Sequence, residues 1–207
     1  MQKIKIEIQE EVQALLKEVQ ENVKGYNVHL GGGYLRDQYC NLNYKDIDIF
    51  LTPNGEEKSL VIYTPKGYRV NYQKNTDETG DMRRRGVGAL IGMYNLDVEK
   101  ETCTEVQYII YDKPMTQKEL VKDMDMNINQ VMWNPSDDLC MASAEFVDGH
   151  EYTYLEFEHH YDEIRMYMRL ERMKVKFPCY SYDDVELSHE QELELHERGE
   201  KEFEGSC

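Results

Sequence analysis

The chain has 207 residues, a mass of 24.6 kDa and a net charge of −17 at neutral pH. A chain this long buries about 70% of its unfolded surface in one large domain or two small ones, which excludes a disulfide-stapled miniprotein. With 41 acids against 24 bases, a protein whose whole surface grips a nucleic-acid backbone is also excluded, so any such contact is local.

In chain order, Ile8, Val12, Leu15, Leu16, Val19 and Val23 fall on one face of an amphipathic helix that Gly25 stops. Tyr26 to Leu30 reads as a strand entering Gly31, Gly32 and Gly33, after which Tyr34, Leu35 and Arg36 restart a helix. A second strand runs from Tyr44 to Leu51 and closes at Pro53, Asn54 and Gly55. Leu60 to Tyr63 and Tyr68 to Tyr72 flank a turn-like Thr64-Pro65-Lys66-Gly67 and suggest a hairpin. Arg83, Arg84 and Arg85 form the most concentrated basic run, either a guide for phosphates or a solvated loop. Glu105 to Tyr111 is a further strand. Thr116 and Glu119 have capping-box spacing ahead of a helix expected from Gln117 to about Met132, ended by Asn134 and Pro135.

Asp148-Gly149, between Glu145–Val147 and His150–Phe157, predicts a short hairpin, and a helix follows from about Tyr161 to Phe177, stopped by Pro178. Ser181 to Glu204 carries ten acids against two bases, a solvated acidic helix or frayed tail that holds −8 of the total charge. The five cysteines show no CxxC or zinc spacing, and the N-terminus lacks the apolar core of a signal peptide. No apolar run approaches the roughly 18 to 20 residues of a membrane span, so a cytoplasmic, membrane-free protein is expected.

The chemistry concentrates in VHLGGGYLRDQYCNLNYKDIDIFL, Val28 to Leu51. Glycines between a strand and a helix let backbone approach a ligand, and their N–H groups suit phosphates; Arg36 adds a forked cation. Asp46 and Asp48, two apart on a strand, point to the same face with Cα atoms about 6.5 to 7 Å apart. Two carboxylates so placed can share divalent metals, and a Mg²⁺ pair would activate a hydroxyl and neutralise a leaving pyrophosphate. Ile47, Ile49 and Leu51 would then face the core.

Together these features resemble the nucleotidyltransferase head of the DNA polymerase beta superfamily. More closely they resemble its branch of CCA-adding enzymes and bacterial poly(A) polymerases, whose signature runs GGxxRD then DxD. Gly32, Gly33, Arg36, Asp37, Asp46 and Asp48 fill that signature here. DMNINQV, Asp125 to Val131, is similar to the family's DFTINAL, with Asp125, Asn127, Ile128 and Asn129 in register; Asp123 and Met124 stand where the family has two arginines. DEIRMYMRLERMKVKFP resembles the start of the family's neck, with Arg169, Arg172, Lys176 and Phe177 in register and Arg165 one place off. On the strand TEVQYIIY, Glu105 and Gln107 share a face; Gln107 sits where the resemblance implies an acid, and Glu105 is the candidate third carboxylate.

The resemblance implies an α+β fold. A nucleotidyltransferase head with a mixed sheet and helices on one side would occupy residues 1–140, a neck-like hairpin and helix 141–180, and the acidic tail 181–207. It also implies transfer of a nucleoside monophosphate from ATP or CTP to an acceptor hydroxyl, an RNA 3′ end of tRNA type, with pyrophosphate released. Asp46 and Asp48 would hold two Mg²⁺ ions with Glu105 as third acid. Gly32, Gly33, Arg36 and Asp37 would take the triphosphate, Asp125 and Asn129 the sugar, and Arg169 and Arg172 the base edge, while Arg83 to Arg85 would meet RNA or phosphate. A protein or small-molecule acceptor, and a catalytically weak nucleotide- or RNA-binding module, are the alternatives. His29 is expected to be a packed strand residue, because phosphoryl transfer needs positioning and metal rather than a histidine base.

Overall fold

The structure, a computed structural model, describes residues 1–55, 63–75, 87–95, 105–157, 163–182 and 185–204. Its centre is an eight-stranded mixed sheet of order β1-β8-β7-β2-β3-β6-β5-β4. The strands are β1 (Gln2–Ile4), β2 (Tyr26–Gly31), β3 (Asp46–Pro53), β4 (Tyr68–Asn75), β5 (Val87–Asn95), β6 (Glu105–Tyr111), β7 (Val131–Asn134) and β8 (Leu139–Ala142). Within this sheet β3 and β6 pair in parallel, and the other neighbours are antiparallel.

Alternation along β3 explains its place. Ile47, Ile49 and Leu51 face one core, against Val12, Leu15, Leu16 and Val19 of α1 (Glu10–Asn22) and Tyr34 and Leu35 of α2 (Gly33–Tyr39). Leu16 and Val19 are fully buried, each contributing about 1.5 to 3 kcal/mol. Phe50 faces the opposite core, with Tyr111, Met132 and the Leu120 and Val121 of α3 (Gln117–Lys122). Helices therefore cover both faces of the sheet, not one, because both the odd and the even residues of β3 include large apolar side chains.

The capping box at α3 is present, with Glu119 N–H donating to the Thr116 hydroxyl and the Glu119 carboxylate accepting from Thr116 N–H. The helix ends at Lys122 rather than near Met132. Beyond a 3₁₀ turn (Asn127–Asn129) the apolar residues alternate: Val131 and Trp133 enter the first core and Met132 the second. That is strand periodicity, and Asn134 and Pro135 open the β7–β8 turn instead of stopping a helix.

The hairpin expected around Asp148-Gly149 is a helix, α4 (Ala144–Glu151), N-capped by Ser143, whose hydroxyl accepts from Phe146 N–H at 2.9 Å. Gly149 is there for close approach, since a Cβ on it would lie 2.5 Å from Asn127 Nδ2 and 3.1 Å from the Tyr154 carbonyl oxygen. Then come β9 (Tyr154–Leu155), α5 (Glu163–Lys176), β10 (Ser181–Tyr182), which pairs with β9, and the acidic α6 (His189–Glu204). Met166, Leu170 and Phe177 pack on Met126, Ile128, Leu155 and Phe157, so α5 is seated on the turn between α3 and β7. Of the sequence expectations, Leu60 to Ile62, Arg83 to Arg85 and His159-His160 lie outside the described residues. No helix among the described residues is long and apolar enough to cross a membrane.

Candidate active site

β2 ends at Gly31, opposite Asp48, and the chain turns through Gly32 into α2. Gly32 has φ 66°, a left-handed backbone that a side chain strains, and a Cβ there would stand 3.0 Å from Asp48 Oδ2. The glycine turn is thus closed directly over a carboxylate. Parallel pairing sets Asp46 beside Glu105 and Asp48 beside Gln107, so all four side chains share one sheet face.

Burial raises the Asp48 carboxyl to about 6; Asp46 and, more weakly, Glu105 add to the rise, while Arg169 and Arg36 oppose it. Burial and then Asp46 also raise Glu105, with Tyr72 as hydrogen-bond partner and Lys45 offsetting part of the rise. The arrangement is short of positive charge. Asp46 Oδ1 and Glu105 Oε1 are buried without a hydrogen-bond partner, a state that costs about 1 to 3 kcal/mol or more for each group unless a cation or donor meets it. Lys45 does not supply that charge, being exposed and 4.0 Å from Asp46 Oδ2. Among the described residues no three His, Cys, Asp or Glu side chains gather tightly enough to enclose an ion. A hard divalent cation here would need other oxygens, such as those of a polyphosphate, besides these carboxylates.

Arg36 lies beneath the turn and is 5% exposed. Its Nε and Nη2 each stand 2.8 Å from Asp37 Oδ1, and Nη1 donates to Asn129 Oδ1 at 2.9 Å. The guanidinium also lies 5.5 Å from the centroid of the Phe177 ring, and Lys176 Nζ donates to Asp37 Oδ2 at 2.5 Å. Arg36 and Asp37 therefore join α2, the 3₁₀ turn and α5. The Nη2 side faces Gly33, 3.4 Å from where a Cβ would stand, and is what the guanidinium offers to the turn.

Asp125 pairs with Arg169 Nη1 at 2.8 Å, and the Arg169 charge reaches Asp48. Asn127 is a backbone clamp, its Oδ1 accepting from Ile128 N–H and Glu156 N–H at 2.8 and 3.0 Å. Gly32, Gly33, Arg36, Asp37, Asp46, Asp48, Glu105, Asp125, Asn129 and Arg169 thus lie around one place, while Arg172 is exposed on α5. Tyr72 was not foreseen: it comes from β4, and no local spacing connects it with Glu105 or with Gln107, whose Nε2 donates to its hydroxyl. A separate cavity of about 540 Å³ opens at the far end of β2, lined by Gln20, Lys24, Asn27, Asn134 and Asp137, and takes none of these carboxylates.

Compared with known proteins, the chain matches no family model and no curated protein. Its fold is similar to that of CCA-adding enzymes. One such enzyme in complex with ATP superposes with a TM-score of 0.57 at 14% identity, over 97% of this chain and 46% of that one. A complex with CTP gives 0.55 at 17% identity over 97% and 46%, and the Thermotoga maritima CCA-adding enzyme complexed with tRNA gives 0.52 at 16% over 89% and 44%. At such identities the likeness is one of fold, and the chain spans under half the length of those structures.

Proposed function

We propose that the protein is a Mg²⁺-dependent nucleotidyltransferase that moves a nucleoside monophosphate from ATP or CTP to the 3′ hydroxyl of an RNA of tRNA type. The observation that carries this is the set of Asp46, Asp48 and Glu105 on one face of the parallel β3–β6 pair, under a glycine turn, with Asp46 Oδ1 and Glu105 Oε1 unsatisfied. The fold relationship to CCA-adding enzymes supports it.

In this reading Asp46 and Asp48 hold Mg²⁺, with Glu105 as the third acid. When bound, Mg²⁺ would activate the acceptor hydroxyl and neutralise charge on the leaving group. The backbone of Gly32 and Gly33 approaches the triphosphate, which no side chain could allow at Gly32, and Arg36 and Asp37 fix the shape of that turn. Asp125, Asn129, Arg169 and Arg172 take the sugar and base side, and Arg83 to Arg85 meet RNA or phosphate. The acceptor oxygen bonds to the α-phosphorus as the bond to pyrophosphate breaks, and the hydroxyl proton is lost.

Incubation with Mg²⁺, α-labelled ATP or CTP and bulk RNA is expected to give RNase-sensitive label. RNase-resistant label on protein or a small molecule would instead identify a different acceptor, a reading that the −17 net charge favours. Calorimetric binding of Mg·NTP with no transfer to any acceptor would reduce the protein to a binding module, for which Gln107 beside Asp48 is the motive.

A further inference from the structure

The cavity of about 540 Å³ at the far end of β2 has the size of a small-molecule site, yet most of its lining is polar. Its walls come from the end of α1, the start of β2, the segment leading into α3 and the β7–β8 turn. His29 is the unexpected member. It stands opposite Phe50, and Gly31, two residues on, backs onto Met132, so this face of β2 looks into the apolar core of Phe50 and Met132. An aliphatic or aromatic side chain is the ordinary occupant of such a position. The imidazole is instead held there at 4% exposure, its Nδ1 buried without a hydrogen-bond partner, with the cavity bordering the ring.

Charge and donor chemistry decide what the cavity suits. Among the described residues the lining carries one base, Lys24, and one acid, Asp137, which cancel. The charge that reaches the imidazole is that of Asp137, which disfavours an anion beside the ring. A metal ion is no better served, since no three His, Cys, Asp or Glu side chains gather among the described residues. The rest of the wall is rich in carboxamides, from Gln20, Asn27, Asn54, Gln117 and Asn134, each with a donor and an acceptor. Several are fixed in place: Gln117 Nε2 donates to the Met132 and Leu139 carbonyls at 3.0 and 3.1 Å, and Asn134 Nδ2 to Asp137 Oδ2 at 3.2 Å. Hydroxyl groups, which both donate and accept, complement such a wall.

We infer that this cavity binds a neutral, hydroxyl-rich ligand, with hydroxyls bonded to the Asp137 carboxylate and the His29 imidazole. Two sources share that chemistry, a free saccharide and the ribose of a nucleoside. The inference stands apart from the transfer reaction, because the cavity takes none of the carboxylates of the candidate active site.

The test titrates the full chain, carrying isotope-labelled histidine, with maltose, adenosine and inorganic phosphate up to about 10 mM, and follows the His29 ring signals. Saturable shifts with a Kd of about 1 mM or tighter are expected for maltose or adenosine, and none for phosphate. Maltose alone acting identifies a free saccharide as the source; adenosine acting where its dideoxy counterpart does not identifies ribose. Asp137→Asn, at an exposed position, is expected to weaken binding about tenfold with the melting point unchanged. His29→Phe, read by saturation transfer to the ligand, is expected to abolish it. No shift at His29 with maltose or adenosine overturns the inference, as do equal shifts with phosphate or the dideoxy nucleoside, or an affinity unaltered in Asp137→Asn.

Discussion

Arg36 and Asp37 are buried together at 5% and 2% exposure, and their value lies in being paired. Arg36→Ala would leave Asp37 with Lys176 alone and Asn129 Oδ1 without its donor. A loss of about 3 kcal/mol in denaturant unfolding is expected, since breaking a buried pair strands charge that water no longer solvates. Wild-type stability in that variant would mean that the guanidinium serves only a ligand. The sequence made this residue visible as part of GGxxRD, but not its surroundings. Asn129, Met173, Lys176 and Phe177 come from distant segments, and no spacing along the chain shows that they converge. Asp46 and Asp48 were legible, because a two-residue step on a strand fixes a common face whatever the rest of the fold does. The partners of Glu105 were not, because they depend on sheet order.

Gly149 separates two ways of reading the same dipeptide. In an exposed helix, Gly→Ala gains about 1 kcal/mol. Here the new methyl would meet Asn127 Nδ2 at 2.5 Å, on a side chain fixed by hydrogen bonds to Ile128 and Glu156. Gly149→Ala is therefore expected to destabilise by about 1 to 3 kcal/mol and lower the melting temperature; a rise would contradict the packing of α4 on the 3₁₀ turn. Asp-Gly is a strong turn signal locally, and tertiary contact overrides it. The same holds for Gln117 to Met132, where a capping box started a helix as expected but strand pairing with β2 and β8 claimed the end. The elements read correctly include α1, β3, β6 and α5, whose periodic patterns are local, and β2 and α2, which the intervening glycines mark.

At the scale of the whole molecule, two histidines, His29 buried and His150 half-buried, set the acid response. Burial lowers His29 and His150 to about 4 from 6.5, so the folded chain holds both neutral near pH 7. At His150 the Tyr180 hydroxyl is 2.8 Å from Nδ1 and the Ile128 carbonyl 3.4 Å from Nε2; burial drives the lowering, the Ile128 carbonyl offsets part of it by favouring the protonated ring, and Arg36 adds to it. Between pH 6.5 and 4 the unfolded chain binds protons that the folded chain refuses, so stability is full above that window and falls as pH drops through it. By pH 5 each histidine costs about 2 kcal/mol. Asp48, raised to about 6, works the other way, since its protonation in the folded chain relieves strain below that pH, and Glu105 shares its direction. The two histidines outweigh this, and the metal-free protein is expected to melt lower at pH 5 than at pH 7.5; a higher melting point at pH 5 would contradict that balance.

The −17 charge also acts at this scale: α6 is acidic, whereas Arg36, Arg169 and Lys176 are gathered near the glycine turn and α5. Arg36 is buried and all three are paired with Asp37 or Asp125, so the RNA contact of the proposed function should be weak, with a shallow salt dependence because few phosphates are neutralised. The most direct test of the account is transfer of α-labelled ATP and CTP to RNA by wild type and by Asp46→Ala and Asp48→Ala, with folding checked by melting. Mg²⁺-dependent labelling by wild type, reduced at least about a thousandfold in either folded variant, is the predicted result. No labelling by wild type, or undiminished labelling by the variants, would contradict it.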